Sequence, residues 1–300
     1  MRSFLYSLLT FCLISKVSAQ EIQKFHQEEI HMGTLFKITI YHQEEAIVNK
    51  AFANAFYRIA ELDAMLSDYK QDSELSMLSK NGYQEPISVS DDLKFLLSEA
   101  EKLYNLSNQV FSIACGPLTK FWRRAIRRQE LPTQEKITEL LKNSDANDIE
   151  FSRLESTVRL KSDSMRLDLG GIAKGYAVDE AFKEIQRLGI ESAIVDGGGD
   201  IYAGKSPDNT GWSVSVLNGK VSIEDYQAIA TSGSTYKYLD VGDKRYSHIV
   251  DPRTGWAITN PNEVSVIADK CYLADALATI FSIDNQLKLD AVYSYKIVDL

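Results

Sequence analysis

Cysteine is scarce in this chain: three residues in 300, at positions 12, 115 and 271. That number cannot build the disulfide framework of a small secreted scaffold, nor a cysteine-rich zinc site. Cys115 and Cys271 could pair in an oxidising compartment, but they read better as two buried structural thiols. Proline numbers only six, and no Pro/Gly/Ser-rich stretch or internal repeat divides the chain. One compact unit over residues 20–300, with intimately packed lobes, is therefore expected. Positive charge is also short, with 33 Lys and Arg against 42 Asp and Glu. A nucleic-acid partner is disfavoured, because neutralising phosphates needs a basic face. Histidine is scarce as well: of four, His248 is the only one beyond residue 42.

Long apolar runs are missing too. The stretch from Phe4 to Ile14 falls short of the roughly 20 residues a spanning helix needs. With Arg2 before it and Val17-Ser18-Ala19 after it, it reads as a cleaved signal peptide over residues 1–19. Cys12 follows Phe11 inside the apolar stretch, where lipid attachment wants a small residue. The mature chain is expected outside the cytoplasm, in the periplasm or on the outer face of the cytoplasmic membrane. Losing Arg2 and Lys16 takes the net charge from −9 to −11.

Phe36, Ile38 and Ile40 alternate with polar residues, the period of a half-buried strand. From Ala46 to Leu66 apolar residues recur every three or four positions, which predicts a long helix. A second helix is expected over Asp91–Leu106 with Ser90 as its N-cap. A third is expected over Ile172–Leu188, stopped by Gly189. Short β-rich runs follow at Ser192–Val195, Trp212–Val216 and Val264–Ala268. A last helix should carry Ala274–Phe281, and Leu289–Val298 a final strand. The expected class is mixed α/β (α+β), with a largely antiparallel sheet and packed helices.

Gly199 to Ser206 satisfies the spacing of a phosphate-binding P-loop. A P-loop needs a helix opening at its Lys, and here Pro207-Asp208-Asn209-Thr210-Gly211 makes a turn after Lys205. Arg123, Arg124, Arg127 and Arg128 recur at helical spacing, and a solvated helix face is a better reading than a site for an acidic group. Asp168 to Gly175 differs from both. Its glycines at a strand-to-helix corner let backbone approach a ligand, and the helix N-terminus favours an anion. Asp275 and Thr279 fall on one helix face, one turn apart. Ser247-His248-Ile249-Val250-Asp251-Pro252-Arg253-Thr254-Gly255 sets the lone histidine beside turn chemistry able to aim it.

The last two segments resemble signatures of the FAD:protein FMN transferase (ApbE) family. So, in order, do Met32-Gly33-Thr34, Leu66-Ser67-Asp68-Tyr69, Ser73-Glu74-Leu75, Cys115-Gly116-Pro117-Leu118, the run Leu167 to Asp179, Gly198-Gly199-Asp200 and Thr231-Ser232-Gly233. The resemblance implies that Asp275, Thr279 and the Gly171 carbonyl hold a metal, and that Lys174 lies near a diphosphate. It also implies flavin contacts from Asp168, Met32, Tyr69 and Val250. All-oxygen ligands suit Mg²⁺. FAD is then the substrate, and an exported flavoprotein bearing a Thr or Ser hydroxyl the acceptor, with His248 as base and AMP released. Membrane contact comes only through the acceptor. Two rivals share these residues, an FAD pyrophosphatase and a flavin-binding protein without chemistry. The chain departs from the family at Phe111-Ser112-Ile113-Ala114, where Phe-Asp-x-Thr is usual, so fewer polar flavin contacts are expected. It departs again at Ala278, where some members carry a further acid.

Overall fold

A computed structural model describes residues 21–216, 219–233, 238–259, 263–289 and 292–298. The expected signal peptide lies outside the described residues. In chain order the elements are β1 (Gln23–His31), β2 (Thr34–His42), α1 (Glu45–Leu66), α2 (Glu74–Asn81), β3 (Ile87–Ser88), α3 (Asp91–Leu106), α4 (Gly116–Arg128) and α5 (Gln134–Leu141). Then come β4 (Ile149–Ser152), β5 (Thr157–Leu160), α6 (Ala173–Gln186), β6 (Ala193–Gly197), β7 (Ile201–Ala203), β8 (Trp212–Val216) and β9 (Gly219–Ile223). The chain continues through β10 (Gln227–Ser232), β11 (Tyr238–Val241), β12 (Lys244–Val250), β13 (Ala257–Thr259), β14 (Val264–Ala268), α7 (Cys271–Ile283) and β15 (Tyr295–Val298).

The main sheet runs β1-β2-β6-β7-β10-β14-β15, and each neighbouring pair is antiparallel. The period of two sorts its residues into two cores. Ile201, Ile229 and Ile267 stand opposite one another in register and face the β8–β9 hairpin. Tyr202, Ala230 and Val266 face the other way, into the main core under α1, α6 and α7. A third cluster joins Leu118, Trp122 and Ala125 of α4 and Ile137 of α5 to the small β11-β12-β13 sheet.

The expected elements form: α3, β8 and β14 have the expected ends, and the others are shifted. Ser90 caps α3 as expected, its hydroxyl accepting from the Leu93 amide at 3.2 Å. The last strand is shorter than expected, because only Tyr295–Val298 pairs with β14. The edge strand β1 has no clear sequence signal: His26, Gln27, Glu28 and Glu29 hide its alternation, and such charge blunts a sheet edge. Helix α6 is buried nearly all round rather than along one stripe, because α1, α7 and β6 enclose it. Ile201–Ala203 is a strand and Lys205 donates its amide to the Glu191 carbonyl, so no P-loop helix opens there. Cys115 and Cys271 are both free thiols. Among the described residues no helix is long and apolar enough to cross a membrane.

Candidate functional site

The N-termini of α6 and α7 meet. A Cβ on Gly175 would stand 2.3 Å from the Cys271 carbonyl oxygen, so only glycine allows this approach. Neither helix carries a side-chain cap of its own. Each is capped by the other instead. Asp275 of α7 accepts from the Gly175 amide at 3.2 Å, and Asp179 of α6 accepts from the Cys271 and Tyr272 amides at 2.9 Å each. Burial pushes the Asp179 carboxyl up to about 6, outweighing those two amide bonds. A raised acid favours folding while protonated, and that contribution is lost as pH rises from the unfolded value through 6. The stability of the wild type relative to Asp179→Asn should thus fall by about 2 kcal/mol between pH 4 and pH 7. Urea titrations at the two pH values check this; an opposite trend contradicts it.

Gly171 ends the loop entering α6, and a Cβ there would sit 3.2 Å from Thr279 Oγ1. The structure therefore brings Gly171, Thr279 and Asp275 together. Lys174 joins them. Its ammonium bonds to the buried Asp200 and stands 3.8 Å from Asp275 Oδ2. Burial opposes its charge, yet the two carboxylates hold its pKa above the ordinary lysine value. Burial and repulsion from Asp200 raise the Asp275 carboxyl, against the pull of Lys174. The ammonium thus stands near the Asp275 carboxylate, the Thr279 hydroxyl and the Gly171 backbone, whose carbonyl is the third oxygen of the expected ligand set. That donor set is hard oxygen and fits a magnesium-like ion completed by phosphate and water. Among the described residues no group of three or more His, Cys, Asp or Glu is arranged to hold a metal ion. Ala278 is buried in the core, so Asp275 is the one carboxylate that α7 offers here.

Asp168 lies at the other end of the same loop. Its carboxylate accepts from Gly170 N at 2.8 Å and Thr119 Oγ1 at 2.6 Å, and Arg123 Nη1 stands 3.6 Å away. Arg123 also pairs with Asp68, donates to Tyr69 Oη at 2.9 Å and packs its guanidinium 4.6 Å from the Tyr69 ring centre. Tyr69 is 71 % exposed, so a face of its ring stays open for another flat group. The solvated-face reading therefore fails for Arg123, which binds two of the expected flavin contacts. Its neighbour Arg124 packs on Phe121. Met32 occupies a left-handed position, φ 49°, in the two-residue β1–β2 turn. A Cβ on Gly198 would meet Thr34 Oγ1 at 2.1 Å, so this turn abuts the loop that carries Asp200.

The departures at residues 112 and 114 have a local explanation. Ser112 caps a 3-10 turn through the Ala114 amide, and Ala114 is fully buried. Phe111 lies beside Gly171, 3.4 Å from a Cβ placed there. A threonine at 114 would overpack the core rather than reach a ligand.

His248 stands in a wide irregularity of β12. Tyr246 faces Thr259 and Val250 faces Ala257, so Ser247, His248 and Ile249 oppose a single residue of β13. Such bulges re-aim side chains. Buried Ser247 braces this one by accepting from the Ile249 amide at 3.0 Å. The turn that follows closes through Gly255 N to Asp251 O at 2.8 Å, and Trp122 Nε1 donates to the Gly255 carbonyl at 2.9 Å. Arg253 forks onto Asp251 and reaches Asp284, the C-cap of α7, at 3.1 Å. The histidine's strand is thereby tied to the helix that carries Asp275 and Thr279. Val250 is 5 % exposed, and its side chain fills the core of the α4, α5 and β11-β12-β13 lobe. A contact from it to a ligand is left to its main chain. A hollow of about 450 Å³ along β12 and β13, lined by Tyr246, Asp251 and Trp256, shares no residue with the Lys174 centre.

Residues 32–295 match the model of the ApbE family. The chain is 31 % identical to the FAD:protein FMN transferase of Vibrio cholerae serotype O1, over 93 % of this chain and 86 % of that one. It is 29 % identical to the protein of the same name from Treponema pallidum, over 86 % of this chain and 78 % of the other. Among solved structures, a histidine-to-glycine mutant of the flavin transferase ApbE from Vibrio cholerae superposes with a TM-score of 0.79. It is 28 % identical, and the match covers 88 % of each chain. The ApbE protein of Thermotoga maritima gives 0.77 at 25 % identity, over 87 % of each. This chain belongs to the ApbE family.

Proposed function

We propose that this chain is an exported, Mg²⁺-dependent FAD:protein FMN transferase. The observation that carries the reading is the junction of α6 and α7. There Asp275, Thr279, the backbone of Gly171 and the Lys174 ammonium come together beside a loop that also holds Asp168. Such a centre suits a diphosphate, and Tyr69 offers an open aromatic face for a flat ring. Asp275, Thr279 and the Gly171 carbonyl would hold the ion, which when bound offsets negative charge developing on the diphosphate.

In the reaction, an acceptor Thr or Ser hydroxyl oxygen forms a bond to the phosphorus on the FMN side. The bond from that phosphorus to the bridging oxygen breaks, and AMP leaves with the electron pair. His248 takes the hydroxyl proton, a role that an imidazole can fill near neutral pH. Lys174, held by Asp200, orients the diphosphate by its fixed charge. The acceptor is an exported flavoprotein, met in the periplasm or at the outer face of the membrane.

AMP chromatography with and without an exported acceptor tests the reading. Release that depends on both acceptor and Mg²⁺ is expected. Equal release without acceptor would make the chain an FAD pyrophosphatase, and intact FAD throughout would leave a flavin-binding protein. Arg123→Ala should weaken FAD binding roughly tenfold, because it frees both Tyr69 and Asp168 from one cation. An unchanged Kd in a flavin fluorescence titration would remove Arg123 from the pocket.

A further inference from the structure

The two helix N-termini form a closed circuit. Gly175 and Asp179 are one turn apart on α6, and Cys271 and Asp275 are one turn apart on α7. Asp179 holds the Cys271 and Tyr272 amides, and Asp275 holds the Gly175 amide. The first amides of a helix need partners, and the N-cap position of α7 is Lys270, whose side chain does not cap it. Asp179 supplies two of these partners in a single carboxylate, and it is 5 % exposed. The first turn of α7 therefore owes its position to α6. One turn further along stands Asp275, the carboxylate proposed for the metal.

We infer that Asp179 is a positioning residue for the metal centre: by capping α7 from α6 it fixes where Asp275 and Thr279 stand relative to Gly171. It touches neither metal nor substrate, and the inference rests on the metal reading given above. The physical ground is that supports behind a metal ligand set the ligand's orientation. Losing one typically costs about 10–100-fold in metal affinity. The circuit explains the two sequence spacings together. An aspartate four residues after a glycine on α6, and an aspartate four residues into an uncapped α7, each answer the other helix's exposed amides.

The experiment measures Mn²⁺ binding, by electron paramagnetic resonance of the free ion, to the wild type and to four variants. Asp275→Ala reports on the metal site itself and should lose binding. Asp179→Asn keeps one acceptor and loses the other, and roughly tenfold weaker binding is expected. Lys270 has the extended backbone of an N-cap, so Lys270→Ser can cap α7 from within. Added to Asp179→Asn, it should restore Mn²⁺ affinity to within about threefold of the wild type, and alone it should change little. Asp179→Asn binding Mn²⁺ like the wild type, while Asp275→Ala does not bind, would overturn the positioning role and leave the metal site standing. Weak binding that Lys270→Ser does not rescue, including through a general loss of the fold seen by circular dichroism, would also overturn it. Mn²⁺ binding absent from the wild type, or unchanged in Asp275→Ala, would sink the metal reading and the inference with it.

Discussion

Asp275→Ala should abolish AMP release from FAD at every Mg²⁺ concentration, a loss of at least about a thousandfold, while leaving a folded protein. The activity falls because α7 contributes no second carboxylate: Ala278 is buried apolar packing, and Thr279 is neutral. The fold survives because the buried carboxylate is repelled by Asp200 as well as drawn to Lys174. Lys174 keeps its bond to Asp200 after the substitution. The Gly175 amide loses its partner, a cost of about 1–3 kcal/mol, and relief of the repulsion offsets part of it. Melting curves and AMP chromatography read the two halves of this result separately. Full turnover of Asp275→Ala in chelator would rule out the metal assignment.

His248→Asn should keep FAD and metal binding and lose most covalent transfer, by about 10²–10⁴-fold, the range of general-base assistance. Asparagine preserves polarity and size in the irregular stretch of β12 but cannot take a proton. The brace from Ser247 and the Arg253 link to Asp284 do not involve the imidazole, so the strand keeps its course. Binding isotherms for FAD should overlay those of the wild type, and only the transfer rate should drop. An unchanged rate would remove His248 from the mechanism.

Much of the fold was legible in the chain because local rules governed it. Ser90 before Asp91, with leucines at helical spacing, announces α3, and Gly189 with φ 80° ends the turn after α6. The edge strand β1 was hidden because its polar residues serve solubility rather than burial. The proposed metal ligands were legible only through resemblance, since Asp275 and Thr279 alone read better as a solvated helix face. Asp179 was named only as the end of a motif. Its task depends on a contact between residues 92 apart in sequence, which no helical periodicity encodes; the one local hint is that Lys270 is a poor cap. Arg123 was misplaced for a related reason. Four arginines at helical spacing look alike, and only packing against Asp68, Tyr69 and Asp168 singles one out.

On the proposed function, the α6–α7 junction and His248 move FMN onto a protein. Intact-mass spectrometry of a purified exported flavoprotein subunit, after incubation with the enzyme, FAD and Mg²⁺, tests it most directly. A gain of one FMN moiety is expected, mapped by peptide sequencing to a Thr or Ser hydroxyl and absent with Asp275→Ala. Acceptors that stay at their original mass while FAD is consumed would contradict it.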